Sequence, residues 1–335
     1  MPAWFAASRQ SASSVIAPPS FSRPLAIGIL LLLGVVFATN HIAARFAFDH
    51  GTGLVTAVLV RSGVTALILL AVVHVLKLPL RLAAYAVPKR WIGVLAGLIA
   101  LQSLLLYSAV ARIPVALALL VFNLFPALYT LLNWMLGGPR PSARTAGLIV
   151  LIIFGLSLAL DFPKQIAAIY SNSQGDQGTF WTGVAFGFGA ASVFAVALRV
   201  TEFKLMALTG VVRSFWTMGL VTGMLGSMSL LVLWGAAGHN ASQWLSSSLH
   251  WPSNWIGWAG LAGLTLCYGS AFSVFFALMP RLNMARNAPA SNIEPVAALI
   301  LGWSFLDQRM SLAQLIGAAI VVLAIVLLAL SGRKP

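Results

Sequence analysis

The chain has 335 residues, 60% of them hydrophobic and 8% charged, whereas an ordinary soluble domain carries roughly a quarter charged residues. Twenty Lys and Arg against six Asp and Glu give a net charge of +14, yet the cations sit singly or in pairs at the ends of apolar runs. That is a topogenic pattern with no basic stripe, and it excludes nucleic acid as the partner. Cys267 is the only cysteine and lies within an apolar run, which excludes an internal disulfide and a Cys-based zinc site.

Residues 1–22 are rich in Ser, Ala and Pro, with no long apolar core before Pro18. They read as a short mobile tail rather than a cleaved signal peptide. A bilayer span needs about 20 apolar residues, and such runs then follow one another. The first five are expected at Leu25 to Phe46, Gly53 to Val75, Trp91 to Val110, Pro114 to Leu136 and Thr145 to Leu160. The second five are expected at Thr179 to Ala197, Val211 to Leu233, Trp255 to Met279, Ala285 to Leu306 and Leu312 to Leu330. The predicted fold is all-α and membrane-integral, with ten transmembrane helices.

Lys and Arg accumulate on cytoplasmic loops. With both termini inside, fifteen of them face the cytoplasm and only Arg112, Lys164 and Arg309 face out, with Arg45 and Arg61 left within spans. This predicts a cell (inner) membrane protein with two cytoplasmic ends. Trp244, Trp251 and Trp255 are expected as aromatic anchors at the outer interface.

A shift of 169 positions carries Arg112 onto Arg281, Asn123 onto Asn292, Pro126 onto Pro295, Trp134 onto Trp303 and Arg140 onto Arg309 without a gap. Agreement at Pro and Trp is more specific than shared hydrophobicity. The chain thus reads as a first five-span repeat at 23–161 and a second at 179–332. An odd number of spans per repeat inverts one half relative to the other. Inverted repeats with helix breaks at matched positions are a signature of secondary carriers, whose site lies near the midplane.

The stretch SNIEPVAALILGWSFLDQRMSLAQLIGAAIVVLAIVLLAL resembles the last two spans of the drug/metabolite transporter superfamily, in particular its EamA-type ten-span exporters. YSAVARIPVALALLVFNLFPALYTLLNWML is similar to the matching region of the first repeat, and Asn40 and Arg61 fall where that family has Asn and Arg. The resemblance implies export of amino acids and related metabolites. One departure stands out: the family usually carries Glu just after the fourth and ninth spans, where this chain has Pro139 and Gln308.

Glu294 is the only carboxylate inside a predicted span. An ionised acid at the bilayer centre costs roughly 2.5–3.5 kcal/mol on insertion scales, so it is a candidate for substrate contact and proton coupling, or else a static partner of Arg61 or Arg45. Asn123 and Asn292 each precede a helix-breaking proline, Pro126 or Pro295, by three residues. Each either satisfies its own broken turn or offers an amide to a substrate. Counting helical rise places Asn40, Gln102, Asn123, Tyr268, Ser270, Asn292 and Glu294 near one depth, with His41 and Arg61 somewhat outward. These nine are the candidate substrate-binding residues. GxxxG pairs at Gly93 and Gly97, Gly183 and Gly187, and Gly219 and Gly223 are expected to permit close helix packing.

No HExxH, GxSxG or Walker motif occurs, and no cofactor or metal is called for. The expected function is secondary export, by alternating access, of a small metabolite, an amino acid or related zwitterion, with protons as an optional coupling partner. Transport of drugs, lipophilic cations or nucleotide sugars, and a non-transporting sensor or scaffold, remain open alternatives. The sequence leaves the oligomeric state unread.

Overall fold

The computed structural model describes residues 20–85, 87–138, 140–161, 174–234, 247–282 and 293–331. Among these every regular element is helical: α1 Arg23–Asp49, α2 Leu54–Val75, α3 Lys89–Val110, α4 Val115–Phe122, α5 Phe125–Met135, α6 Ala143–Ala159, α7 Gln174–Lys204, α8 Gly210–Leu233, α9 Trp255–Leu278, α10 Glu294–Leu306 and α11 Leu312–Ser331, with short 3-10 turns at Leu82–Tyr85 and Met279–Arg281. Seven helices are long and apolar enough to cross a membrane when α4 and α5 are taken as one interrupted helix; α6 and α10 are shorter apolar helices, as is the stretch Leu312–Leu328 of α11. The expected tail up to residue 19 and the first part of the ninth expected span, residues 285–292, lie outside the described residues.

The helix ends follow local chemistry. The Ser142 hydroxyl accepts from the Thr145 N–H at 3.2 Å, and the Asn254 side chain accepts from the Gly257 N–H at 3.0 Å, which satisfies donors that the first turn leaves free. Proline stands in the first turn of α1, α5 and α10, where its missing N–H costs nothing. Pro126 has no N–H to offer the Phe122 carbonyl, so α4 stops at Phe122 and α5 restarts at Phe125.

The outward faces are apolar. Leu67, Ile153, Phe305 and Leu323 are among many large exposed hydrophobic side chains, a surface suited to acyl chains rather than water. The chain is a multi-pass membrane protein. Exposed Trp251 and Trp255 flank the start of α9, and Trp251 stacks on Trp258 with centroids 5.7 Å apart; Trp244 lies outside the described residues.

The principal helix contacts form an ordered set. α1 packs on α9 and α3 on α7; α2 packs on α9 and α3 on α8; α1 packs on α10, and α7 on both α4 and α5. Each of these pairs turns into its companion when the helices before residue 161 are exchanged with those after 174 in chain order, counting α4 and α5 as one. The contacts α2 with α8, α6 with α11 and α4 with α10 are each their own image.

Close approach depends on a different set of glycines from that expected. A Cβ on Gly93, Gly97, Gly219 or Gly223 would meet nothing within 4 Å, whereas one on Gly183 or Gly187 would press on Ile113 or Val121. Among the described residues, only the GxxxG pair in α7 faces a neighbour. The tightest crossing is α6 with α11, where a Cβ on Gly317 would lie 2.3 Å from the Ala159 nitrogen and 2.5 Å from the Gly155 oxygen. Backbone cannot yield as a side-chain tip can. Gly317→Leu should therefore force α6 and α11 apart and cost at least about 1–3 kcal/mol, the usual range for overpacking, while Gly93→Leu should be near neutral. Thermal unfolding of the purified protein in detergent measures both.

Candidate functional site

Arg61 on α2 is only 3% exposed, and everything that holds it is neutral. Its Nη1 donates to the Tyr107 hydroxyl at 3.0 Å and its Nη2 to the Ser103 hydroxyl at 2.8 Å, both on α3. Its guanidinium carbon lies 3.9 Å from the ring centroid of Tyr268 on α9 and 4.9 Å from that of Tyr107. A hydrogen bond to a charged group contributes about 1.5–3 kcal/mol, and a desolvated cation–π contact about 2 kcal/mol. Together they offset part of the cost of a buried cation. Among the described residues no carboxylate pairs with Arg61.

The bonds continue on both sides. Tyr107, fully buried, donates to the Asn40 side-chain oxygen at 3.2 Å, and the Ser103 hydroxyl donates to Oε1 of Gln102 at 3.5 Å. Helices α1, α2, α3 and α9 therefore meet around one polar chain. It ends in unused donors: Arg61 Nε and Asn40 Nδ2 are buried and have no partner among the described residues. A buried donor without an acceptor costs roughly 1–3 kcal/mol, so these two favour any acceptor group that reaches them.

A second charge centre adjoins the first. His41 follows Asn40 on α1, and its Nε2 lies 3.3 Å from Oε1 of Glu294, the first residue of α10. Its Nδ1 is buried and has no partner among the described residues, and its ring meets that of Tyr107 edge-on with centroids 6.0 Å apart. The expected static pairing of Glu294 with Arg61 or Arg45 is thus not the arrangement found. α10 packs on α1 and α4, while α2 packs on α3, α8 and α9, so His41 is the base that Glu294 reaches. Arg45 instead holds Asp49 at 3.0 Å and the Val110 carbonyl at 2.9 Å.

The structure therefore gathers Asn40, Arg61, Gln102 and Tyr268 in one cluster and His41 with Glu294 in a neighbouring one. Asn123 stands apart: its amide donates to the Leu119 carbonyl at 2.8 Å, satisfying a turn of the helix that Pro126 interrupts. Ser270 is exposed, and its hydroxyl donates to the Leu266 carbonyl of its own helix at 2.6 Å. Asn292 lies outside the described residues, while Pro295 opens α10 beside Glu294. Ser103 and Tyr107 were not singled out in the sequence, although they stand four residues apart and so face the same way along α3.

The arrangement offers a buried cation with free donors beside an acid–imidazole pair. It can accept an anionic or acceptor-rich group. Among the described residues it does not assemble a nucleophile, base and orienting group. Among the described residues no three His, Cys, Asp or Glu side chains are placed to hold a metal ion.

Residues 181–330 match the sequence model of the EamA-like transporter family. No curated protein matches the chain. A crystal structure 18% identical in sequence superimposes with a TM-score of 0.56, covering 93% of this chain and 100% of that one, a likeness of fold alone.

If the Tyr107 hydroxyl joins Arg61 to Asn40 as described, Tyr107→Phe strips one partner from each. It should lower stability by about 1–3 kcal/mol, the cost of leaving buried polar groups unmatched. Ser270→Ala, on an exposed face, should change it by less than about 0.5 kcal/mol. Unfolding midpoints of the two variants in the same detergent provide the comparison.

Proposed function

We propose that the chain, whose residues 181–330 match the EamA-like transporter family, is a membrane transporter that exports a small zwitterionic metabolite, foremost an amino acid, from the cytoplasm. The observation that carries this reading is the buried Arg61, unneutralised by any described carboxylate and ending with Asn40 in free donors. A substrate carboxylate would accept from both, as Arg forks commonly do. A substrate ammonium would find Glu294, the acid of the adjoining pair. One buried Arg gives too little positive field for a polyphosphate, which disfavours a nucleotide sugar.

The route is alternating access between two inverted five-helix repeats, 23–161 and 179–332, with both termini in the cytoplasm and the protein in the inner membrane. The sequence match at a shift of 169 positions, seen at Arg112 and Arg281, and the exchange relation among helix contacts support the two repeats. The excess of Lys and Arg on one set of loops supports the orientation. Coupling runs through the Glu294 and His41 pair, where a proton taken up on one side and released on the other would accompany substrate in the opposite direction.

Cells producing the protein should tolerate toxic amino-acid analogues better and retain less of them. Arg61→Gln should weaken this at least about tenfold, equivalent to about 1.4 kcal/mol. Asn123→Ala should weaken it more than Leu323→Ala, whose side chain is 57% exposed on the last helix. Glu294→Gln should remove any dependence of transport on the pH gradient. Unchanged retention across a broad amino-acid panel, with the protein shown to reach the membrane, would shift the assignment to drugs, lipophilic cations or nucleotide sugars. Wild-type transport that ignores the pH gradient would make the protein a facilitator.

A further inference from the structure

The side-chain oxygen of Gln308 accepts from the backbone N–H of Val115 at 3.1 Å, a bond between residues 193 positions apart. Gln308 lies just beyond α10 and Val115 is the first residue of α4. The bond is possible because Asp307 turns the chain back with φ +51° and the Gln308 N–H closes on the Gly302 carbonyl at 3.1 Å. A Cβ on Gly302 would approach the Gln308 oxygen to 3.0 Å, so the glycine leaves that side chain room to lie over the end of α10. Val115 to Val121 are all buried, and their free N-terminal N–H groups have few other acceptors in such surroundings.

The corresponding place in the first repeat lacks this means. At the shift of 169 positions that joins Asn123 to Asn292, Gln308 corresponds to Pro139, whose side chain has no acceptor. On the orientation adopted under Proposed function, Gln308 lies at the outer surface and Pro139 at the inner one. The same short helix also ends the proton-bearing pair: Glu294 opens α10, Gln308 follows its last turn, and 13 residues separate the two ends by about 20 Å.

We propose that Gln308 is the latch of the outer gate, a positioning residue that pins α10 to α4 and biases the resting transporter toward the inward-facing state. Opening outward separates α10 from α4 and breaks the bond to Val115. A cavity of about 130 Å³ between α4, α10 and α11, lined in part by Ala116, Leu120, Pro295 and Leu299, lies along the seam. Because α10 is one rigid rod, loosening the Glu294 and His41 contact at one end and the Gln308 contact at the other favour the same movement.

The test needs no substrate, so its outcome is separable from that of the amino-acid assignment. In a Cys267→Ser background, Ala116→Cys on α4 reports outer access and Ala127→Cys on α5 reports inner access. Labelling by a membrane-impermeant maleimide is timed in right-side-out and inside-out vesicles. Gln308→Leu, and Gln308→Asn should the first fold poorly, are expected to speed labelling at position 116 from outside about two- to tenfold, the range that loss of one net hydrogen bond gives a two-state equilibrium, without speeding it at position 127 from inside. Gln308→Glu, whose carboxylate makes a stronger bond to a helix N-terminus, should slow it. Equal rates in all variants, or equal gains at both reporters as from a merely structural cap, would overturn the latch. Faster labelling of position 116 only from the cytoplasmic face would overturn its assignment to the outer gate.

Discussion

A guanidinium buried among membrane helices has to be held by something, and Arg61 is held by hydroxyls and aromatic faces instead of a carboxylate. That choice governs the surrounding architecture. α3 must present Ser103 and Tyr107 on the face toward α2, α9 must bring Tyr268 beneath the cation, and α1 must place Asn40 at the far side of the Tyr107 hydroxyl. A carboxylate partner would have neutralised the charge locally and asked little of the other helices. Neutral partners share the task among four helices and leave the net charge in place. The proposed substrate contact follows from this imbalance.

Charge is divided between two neighbouring centres. Glu294 meets His41 in an acid–imidazole pair, while Arg61 keeps its proton under ordinary conditions. Tyr107 touches both centres, by hydrogen bond to Arg61 and by ring contact to His41.

Much of this could be read from the chain alone. The helices follow from apolar run length and the interruption before Pro126 from proline chemistry. Depth along each span picked out Asn40, Gln102 and Tyr268, and charge within a span picked out Arg61, four residues that the structure brings together. Depth says nothing of direction around the helix, and Ser270 shows the consequence: two residues after Tyr268 it points about 200° away, onto the exposed face, while Tyr268 faces Arg61. Tyr107 and Ser103 escaped because the shift of 169 positions highlights only residues that recur: at that shift they correspond to Phe276 and Phe272, so the hydroxyls that hold Arg61 have no polar counterparts. The glycine pairs at Gly93 and Gly219 failed for the same geometric reason as Ser270, since spacing defines a face but not what packs against it.

The enclosure of α4 also bears on how the protein is made. Val115 to Val121 are buried against α7, α10 and neighbouring helices, yet residues 174–204 and 294–306 leave the ribosome after residues 115–122. During synthesis the eight-residue segment is present before its principal covers exist. Its strongly apolar sequence, VALALLVF, suits that interval, because it can rest in lipid without a polar side chain to shield. Completion of the packing around α4 therefore waits on the arrival of α10, so a chain released before Glu294 would expose this segment to the membrane machinery that retains and degrades unassembled helices.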